Sequence, residues 1–190
     1  MLNTEPQWVA VYTKARAEQK LADQLAEKNI ESYCPTVRQT HKWSDRIKVM
    51  EVPLFASYCF ARITRDQVSK VRSMPAAVFI VAFGGKIATV PDNDIEVIRI
   101  ALQSQQDFIL QQMEKLKSGA HVRVLDGLFK DKEGILIDET KDGKNFGVKI
   151  EALSSVFVVK INKNLLELVE DETEDNDRKK KECPKGDTSK

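Results

Sequence analysis

The sequence predicts an α+β fold in two parts, an N-terminal α/β sandwich followed by a small β-barrel. Three observations carry this. Apolar periodicity switches from two to between three and four after the first strand-like segment and back again further on. The segment Pro53-Leu54-Phe55-Ala56-Ser57-Tyr58-Cys59-Phe60-Ala61-Arg62-Ile63 reads as a strand carrying three aromatic residues with almost no polar group to satisfy. After Ser118-Gly119 every segment alternates over a short run between turn residues, the pattern of a small closed sheet.

Trp8 to Tyr12 opens the first part as a buried strand, with Trp8, Ala10 and Tyr12 on one face and Val9 and Val11 on the other. From Lys14 a helix follows: Ala17, Leu21 and Leu25, with Ala22 beside them, form its apolar stripe, while Arg16, Lys20 and Gln24 mark a polar, partly basic face. Val37 to Val52 alternates on both sides of Ser44-Asp45, which predicts a hairpin with a basic side from Arg46 and Lys48. After the Pro53 to Ile63 strand, Thr64-Arg65-Asp66-Gln67 has capping-box spacing ahead of Val68 and Val71, and Pro75 stops the short helix. Val78 to Phe83 and Ile87 to Val90 form a second hairpin about Gly84-Gly85, residues that tolerate the positive φ of a tight turn. Asp92 or Asp94 is positioned to cap a third helix with Ile95, Ile98 and Leu102 on one face, and the pattern continues through Ile109 and Leu116, which extends the expected helix across residues 104–118. Five strands follow: His121 to Leu125, Gly134 to Ile137, Phe146 to Ile150, Val156 to Ile161 and Leu165 to Val169. Residues 171–190 run acidic and then basic with few apolar side chains, a composition expected to be disordered.

The charge balance, 30 Lys and Arg against 29 Asp and Glu, excludes a uniformly basic nucleic-acid binder, so any such contact needs a local patch. Cys34, Cys59 and Cys183 fall at no metal-ligand spacing, and the first seven residues have neither a basic nor an apolar region, so a reducing cytoplasmic setting is expected. The longest apolar run, Ala76 to Phe83, is too short to span a bilayer. Catalysis finds no support: a cysteine nucleophile needs a base, the two histidines, His41 and His121, belong to different parts, and no phosphate loop or paired-carboxylate motif occurs. No catalytic residue, metal or cofactor is expected.

Trp8 to Tyr12, the Pro53 to Ile63 segment and His121-Val122-Arg123-Val124-Leu125-Asp126-Gly127-Leu128-Phe129, in that order, resemble the NusG family of transcription elongation factors. The resemblance implies an N-terminal RNA-polymerase-binding domain over residues 1–103, a helical linker over 104–118 and an SH3-like KOW barrel over 119–170. It also implies that Tyr12, Phe55, Tyr58, Phe60 and Phe83 line a cavity gripping the clamp helices of the largest polymerase subunit. In the family a Pro-Gly or Pro-Asn pair bends the chain between the residues matching Phe55 and Tyr58; here Ala56-Ser57 stands there. Taken without the resemblance, Phe55, Tyr58, Phe60 and Phe83 read first as core, where aromatic residues on strands usually lie.

Lys14, with Arg16, Lys20 and Gln24 nearby, matches the place where RfaH-type members touch the displaced non-template DNA strand, and these residues equally suit a solvated helix face. Gln67 to Lys70 occupies the stretch that meets the polymerase gate loop in that type but lacks its threonine-rich signature. Gly127-Leu128-Phe129 followed by Gly134 matches the KOW core, which implies that Phe129 either meets a partner, a small-subunit ribosomal protein or Rho, or plugs the barrel. Within the family the match is closer to RfaH-like antiterminators. The Ala-Ser pair, long third helix and charged tail are similar to the UpxY group, associated with capsular-polysaccharide operons. The resemblance also admits a general NusG factor or a ribosome-associated KOW protein. A monomer is expected, with a barrel that leaves Phe55 and Tyr58 uncovered.

Overall fold

A computed structural model describes residues 4–42, 47–105, 108–112, 119–140, 143–161 and 163–169. The N-terminal sheet takes the order β2-β5-β1-β6, formed by β1 (Gln7–Thr13), β2 (Ser32–Tyr33), β5 (Tyr58–Ile63) and β6 (Ala77–Ile80), with β9 (Thr89–Val90) pairing on β1. Its pairs are antiparallel, with Ala10 opposite Phe60 and Tyr12 opposite Tyr58. Alternation therefore divides the sheet into two faces.

Val9, Val11, Cys59, Ala61 and Ile63 share a buried cluster with Leu21 and Leu25 of α1 (Glu18–Ala26) and Val71 of α2 (Val68–Arg72). The capping box ahead of α2 is present: Thr64 N–H donates to Gln67 Oε1 at 3.0 Å. On the opposite face, Trp8, Ala10 and Phe60 cluster with Ile95, Ile98 and Ala101 of α3 (Asp92–Gln103). Arg99 of α3 lies over the Tyr33 ring, 5.1 Å from its centroid. Burial pushes the Tyr33 phenol up to about 12.

Two hairpins project from this sandwich. β3 (Thr36–Lys42) pairs along its length with β4 (Ile47–Pro53), although the expected Ser44-Asp45 turn lies outside the described residues. β7 (Ala82–Phe83) and β8 (Lys86–Ile87) turn tightly at Gly84 and Gly85, whose φ values of 55° and 78° fit the mirror-image turns that match strand twist.

The third helix is shorter than its periodicity suggests. It stops at Gln103, Gln105 takes φ 52°, and β10 (Phe108–Gln112) is a strand, so residues 108–112 are not the expected helix, and residues 106–107 and 113–118 of that expectation lie outside the described residues. Phe108 pairs with Val159 and stacks on Phe157 at 5.0 Å, a contact with a distant segment that outweighs local helix periodicity.

β10 joins a six-stranded antiparallel sheet of order β10-β14-β13-β12-β11-β15, with β11 (His121–Val124), β12 (Glu133–Thr140), β13 (Gly143–Ile150), β14 (Ser155–Ile161) and β15 (Leu166–Leu168). All five expected C-terminal strands are present. They do not stand apart from the first part. Val122, Val124, Phe146, Ile150 and Phe157 share one buried cluster with Trp8, Phe60 and α3, and the 3-10 turn Glu151–Leu153 touches β1 and β9. Asn93 of α3 bonds the backbone of Glu133 twice, donating to its carbonyl at 2.7 Å and accepting from its N–H at 3.1 Å. Lys132 pairs with Glu96 at 2.5 Å.

Candidate aromatic interface and its neighbours

The local chain path that presents Tyr58 is a turn. Tyr58 N–H donates to Phe55 O at 3.1 Å, and Ser57 within the turn takes φ 63°, the left-handed region that Gly or Asn more readily occupies. The bend needed between Phe55 and Tyr58 is therefore formed without the Pro-Gly or Pro-Asn pair. Two contacts hold it: Ser57 N–H donates to Glu18 Oε1 at 2.6 Å, and Thr13 N–H donates to Ser57 O at 2.8 Å. Glu18 is itself buried at the start of α1, so the first helix anchors the turn.

Beyond the turn, three rings meet on one sheet face. Tyr12 stacks on Phe79 of β6, with centroids 4.9 Å apart and planes 19° apart, and Tyr58 meets Tyr12 edge-on at 5.2 Å. Both geometries suit the aromatic quadrupole. Tyr12 and Tyr58 are half-buried, while Phe79 is 47% exposed. Phe79 was not among the sequence candidates; its signal is its place opposite Tyr12, which depends on how β6 pairs.

The expected five-residue cavity is divided by the fold. Phe55 and Phe60 are 4% and 0% exposed and meet edge-on at 5.5 Å, so they are core side chains and offer no open ring. Phe83 is exposed, but it sits on the β7–β8 hairpin, and among the described residues it makes no ring contact with the other three. Tyr12 and Tyr58 alone are brought together on a partly open face. The C-terminal sheet docks on the same face toward Trp8 and Val90, so the expectation of a separate barrel is corrected, while Tyr58 retains exposure.

Lys14, Arg16 and Lys20 are exposed where β1 passes into α1, and among the described residues none has an ion-pair partner. Gln24 differs: its Oε1 accepts Ala76 N–H at 3.3 Å, which ties α1 to the start of β6, so it is a structural side chain. Phe129 is also corrected. It is 5% exposed and packs toward Phe146, with centroids 6.5 Å apart, so it fills the C-terminal core while its neighbour Leu128 is exposed. Among the described residues no group of His, Cys, Asp and Glu side chains is placed to hold a metal ion, and no helix is long and apolar enough to cross a membrane.

An antiparallel sheet covered by helices on both faces, with three touching rings left partly open, defines an α+β sandwich bearing an aromatic surface. The family model described as transcription termination factor NusG matches residues 6–99, the segment that builds that sandwich. Residues 6–99, just under half of the chain, are thus a domain of the NusG family of transcription factors. Solved structures also match, two of them as follows. One, "Domain interaction in Thermotoga maritima NusG", is 20% identical, with 87% of this chain and 98% of that chain covered and a TM-score of 0.42. The other, "Crystal Structure of MjSpt4:Spt5 complex conformation B", is 17% identical, with 86% and 97% covered and a TM-score of 0.27. A comparison with curated proteins finds no match.

Proposed function

We propose that this chain is an elongation factor that binds RNA polymerase through the Tyr12, Tyr58 and Phe79 face and suppresses pausing and termination. The observation that carries the reading is a three-ring cluster left partly open on a NusG-family domain. Exposed apolar surface of this kind suits a macromolecular partner, and a few central aromatics supply most of the affinity in such interfaces. The partner is the clamp helices of the largest polymerase subunit. A factor with higher affinity for the closed clamp disfavours the open, paused state by that difference.

Lys14, Arg16 and Lys20 are the candidates for the non-template DNA strand, with phosphate contacts supplying salt-dependent affinity. We read residues 1–103 as the polymerase-binding unit and the C-terminal sheet as a KOW unit that begins at β10, within residues 104–118, where the resemblance implies a linker. Its surface for a ribosomal protein or Rho is built on Leu128 and its exposed neighbours in place of Phe129. The specialised, antiterminating role in a capsular-polysaccharide operon rests on the Ala56-Ser57 pair and the charged tail, since the long third helix, the other ground for it, ends at Gln103.

Binding of the full chain to RNA polymerase tests the reading. Tyr58→Ala and Phe79→Ala should each weaken binding at least tenfold while the thermal midpoint changes little. Unchanged affinity in both variants would remove the aromatic face from the interface.

A further inference from the structure

Two thiols face each other beneath α1, away from the three-ring surface. β2 and β5 pair with Ser32 opposite Ala61 and Tyr33 opposite Phe60, and that register, carried one residue past the end of β2, sets Cys34 opposite Cys59. Arg62 N–H donates to Glu31 O at 2.8 Å, which makes Glu31 and Arg62 a hydrogen-bonded pair. Rungs alternate along an antiparallel ladder, so Tyr33 and Phe60 form the next bonded pair and Cys34 and Cys59 fall on a non-bonded rung. Such rungs bring Cα atoms to about 4.5 Å. A disulfide spans Cα separations of about 4.4–6.8 Å, so the backbone needs no rearrangement to accept one.

The side chains agree with the register. Cys34 packs against the buried cluster that holds Cys59, whose thiol donates to Tyr33 O at 4.0 Å and to Phe60 O at 3.5 Å, and both cysteines are free. Cys34 is half-buried, whereas Cys59 is fully buried in the cluster with Val9, Val11 and Leu21. Interaction with the Cys59 thiol lowers the Cys34 thiol from its ordinary value, while that interaction and burial push Cys59 up. An accessible sulfur biased toward thiolate thus lies against a sheltered one, the arrangement of an attacking and a resolving cysteine.

We propose that Cys34 and Cys59 are a redox-sensitive dithiol that hydrogen peroxide closes to an intramolecular disulfide. The Cys34 thiolate attacks one peroxide oxygen, the O–O bond breaks, and Cys34 becomes a sulfenic acid as the departing hydroxide takes up a proton to leave as water. The Cys59 sulfur then attacks the Cys34 sulfur. The S–S bond forms, the S–O bond breaks, and the hydroxide leaves as water with the Cys59 proton. Two thiols give up two electrons and one peroxide becomes two waters. The bridge ties the base of the β3–β4 hairpin to β5, one residue beyond Tyr58, and so stiffens the strand that carries this ring.

The full chain and its Cys183→Ser variant, treated with hydrogen peroxide, alkylated, digested and weighed by mass spectrometry, decide the matter. The expected product in both is a peptide pair linked through Cys34 and Cys59, reversed by dithiothreitol. The oxidised chain should melt about 5 °C or more above the reduced one, since the bridge closes a loop in the unfolded chain. Cys34→Ser should abolish the linked peptide. Sulfinic or sulfonic acid at Cys34 with Cys59 still alkylated, a bridge made by Cys183, or thiols that stay reduced would each overturn the proposal.

Discussion

Replacing Glu18 with alanine removes the tether of the turn that presents Tyr58. The carboxylate is 5% exposed and accepts Ser57 N–H at 2.6 Å, while Ser57 holds a left-handed φ of 63°. A hydrogen bond with a charged partner contributes about 1.5–3 kcal/mol, and a non-glycine residue in the left-handed region stores about 1–2 kcal/mol. Burying the carboxylate costs energy that its loss would return, but truncation leaves the part-buried Ser57 N–H without its acceptor. The net cost of Glu18→Ala is therefore about 2 kcal/mol, which at this chain length lowers the thermal midpoint by about 4–8 °C. Glu18→Gln keeps an oxygen acceptor and should lose less than half as much. Ser57→Gly relieves the backbone strain and should raise the midpoint by about 1–3 °C, alone or on the Glu18→Ala background. Calorimetry on the three single variants gives the answer, with polymerase binding measured beside it because a displaced Tyr58 should also bind less well. A Glu18→Ala midpoint within 1 °C of the parent chain, or a lower one for Ser57→Gly, would refute the account of the turn.

Phe129→Ala should cost about 3–5 kcal/mol and lower the melting temperature sharply, because the ring is 5% exposed; a stable variant deficient only in partner binding would return it to the surface. Gly134→Ala should unfold the C-terminal sheet, since a Cβ there would stand 2.5 Å from Gly147 O and 2.6 Å from the Phe146 ring, and loss of the amide shifts of β13 would report it. Asn93→Ala should remove about 1–2 kcal/mol from the docking of α3 on β12 and speed hydrogen exchange at Glu133 N–H, which now donates to the Asn93 side chain; unchanged exchange would count against that contact. Lys132 holds the Glu96 carboxyl below its usual value, so the stability it lends is present above the unfolded carboxyl pKa and disappears as pH falls through the lower folded value. Both side chains are partly exposed, so comparison of the parent with Lys132→Ala should show a difference of less than about 1 kcal/mol at neutral pH that vanishes in acid.

The elements of this fold were legible where the information is local. Leu21 and Leu25 at helical spacing, the Thr64 to Gln67 capping box, the Gly84-Gly85 turn and the alternation of Val156 to Ile161 each declare their structure within a few residues. Phe108 to Gln112 differs from its local pattern because Ile98, Leu102 and Ile109 fit a helical stripe, whereas its strand partner lies at Ser155 to Val159. No local pattern shows that pairing.

The same limit divided the aromatic candidates. Trp8, Ala10 and Tyr12 are one sheet face by alternation, and Phe60 and Tyr58 are their cross-strand partners, so the sequence identifies the face correctly. Alternation cannot tell which part of that face another element covers. The chain turns at β9, which pairs with Trp8, and enters α3 at Asp92, so α3 packs over the Trp8, Ala10 and Phe60 end. The Glu151–Leu153 turn adds to the cover beside β1 and β9. Tyr12, Tyr58 and Phe79 lie toward the other end, where Tyr12 has its two ring neighbours and Phe79 keeps nearly half its surface. The candidate interface is thus the remainder of an apolar face after α3 has taken its share. A side chain's place along β1, measured from the strand that leads into α3, separates core from surface where residue type does not.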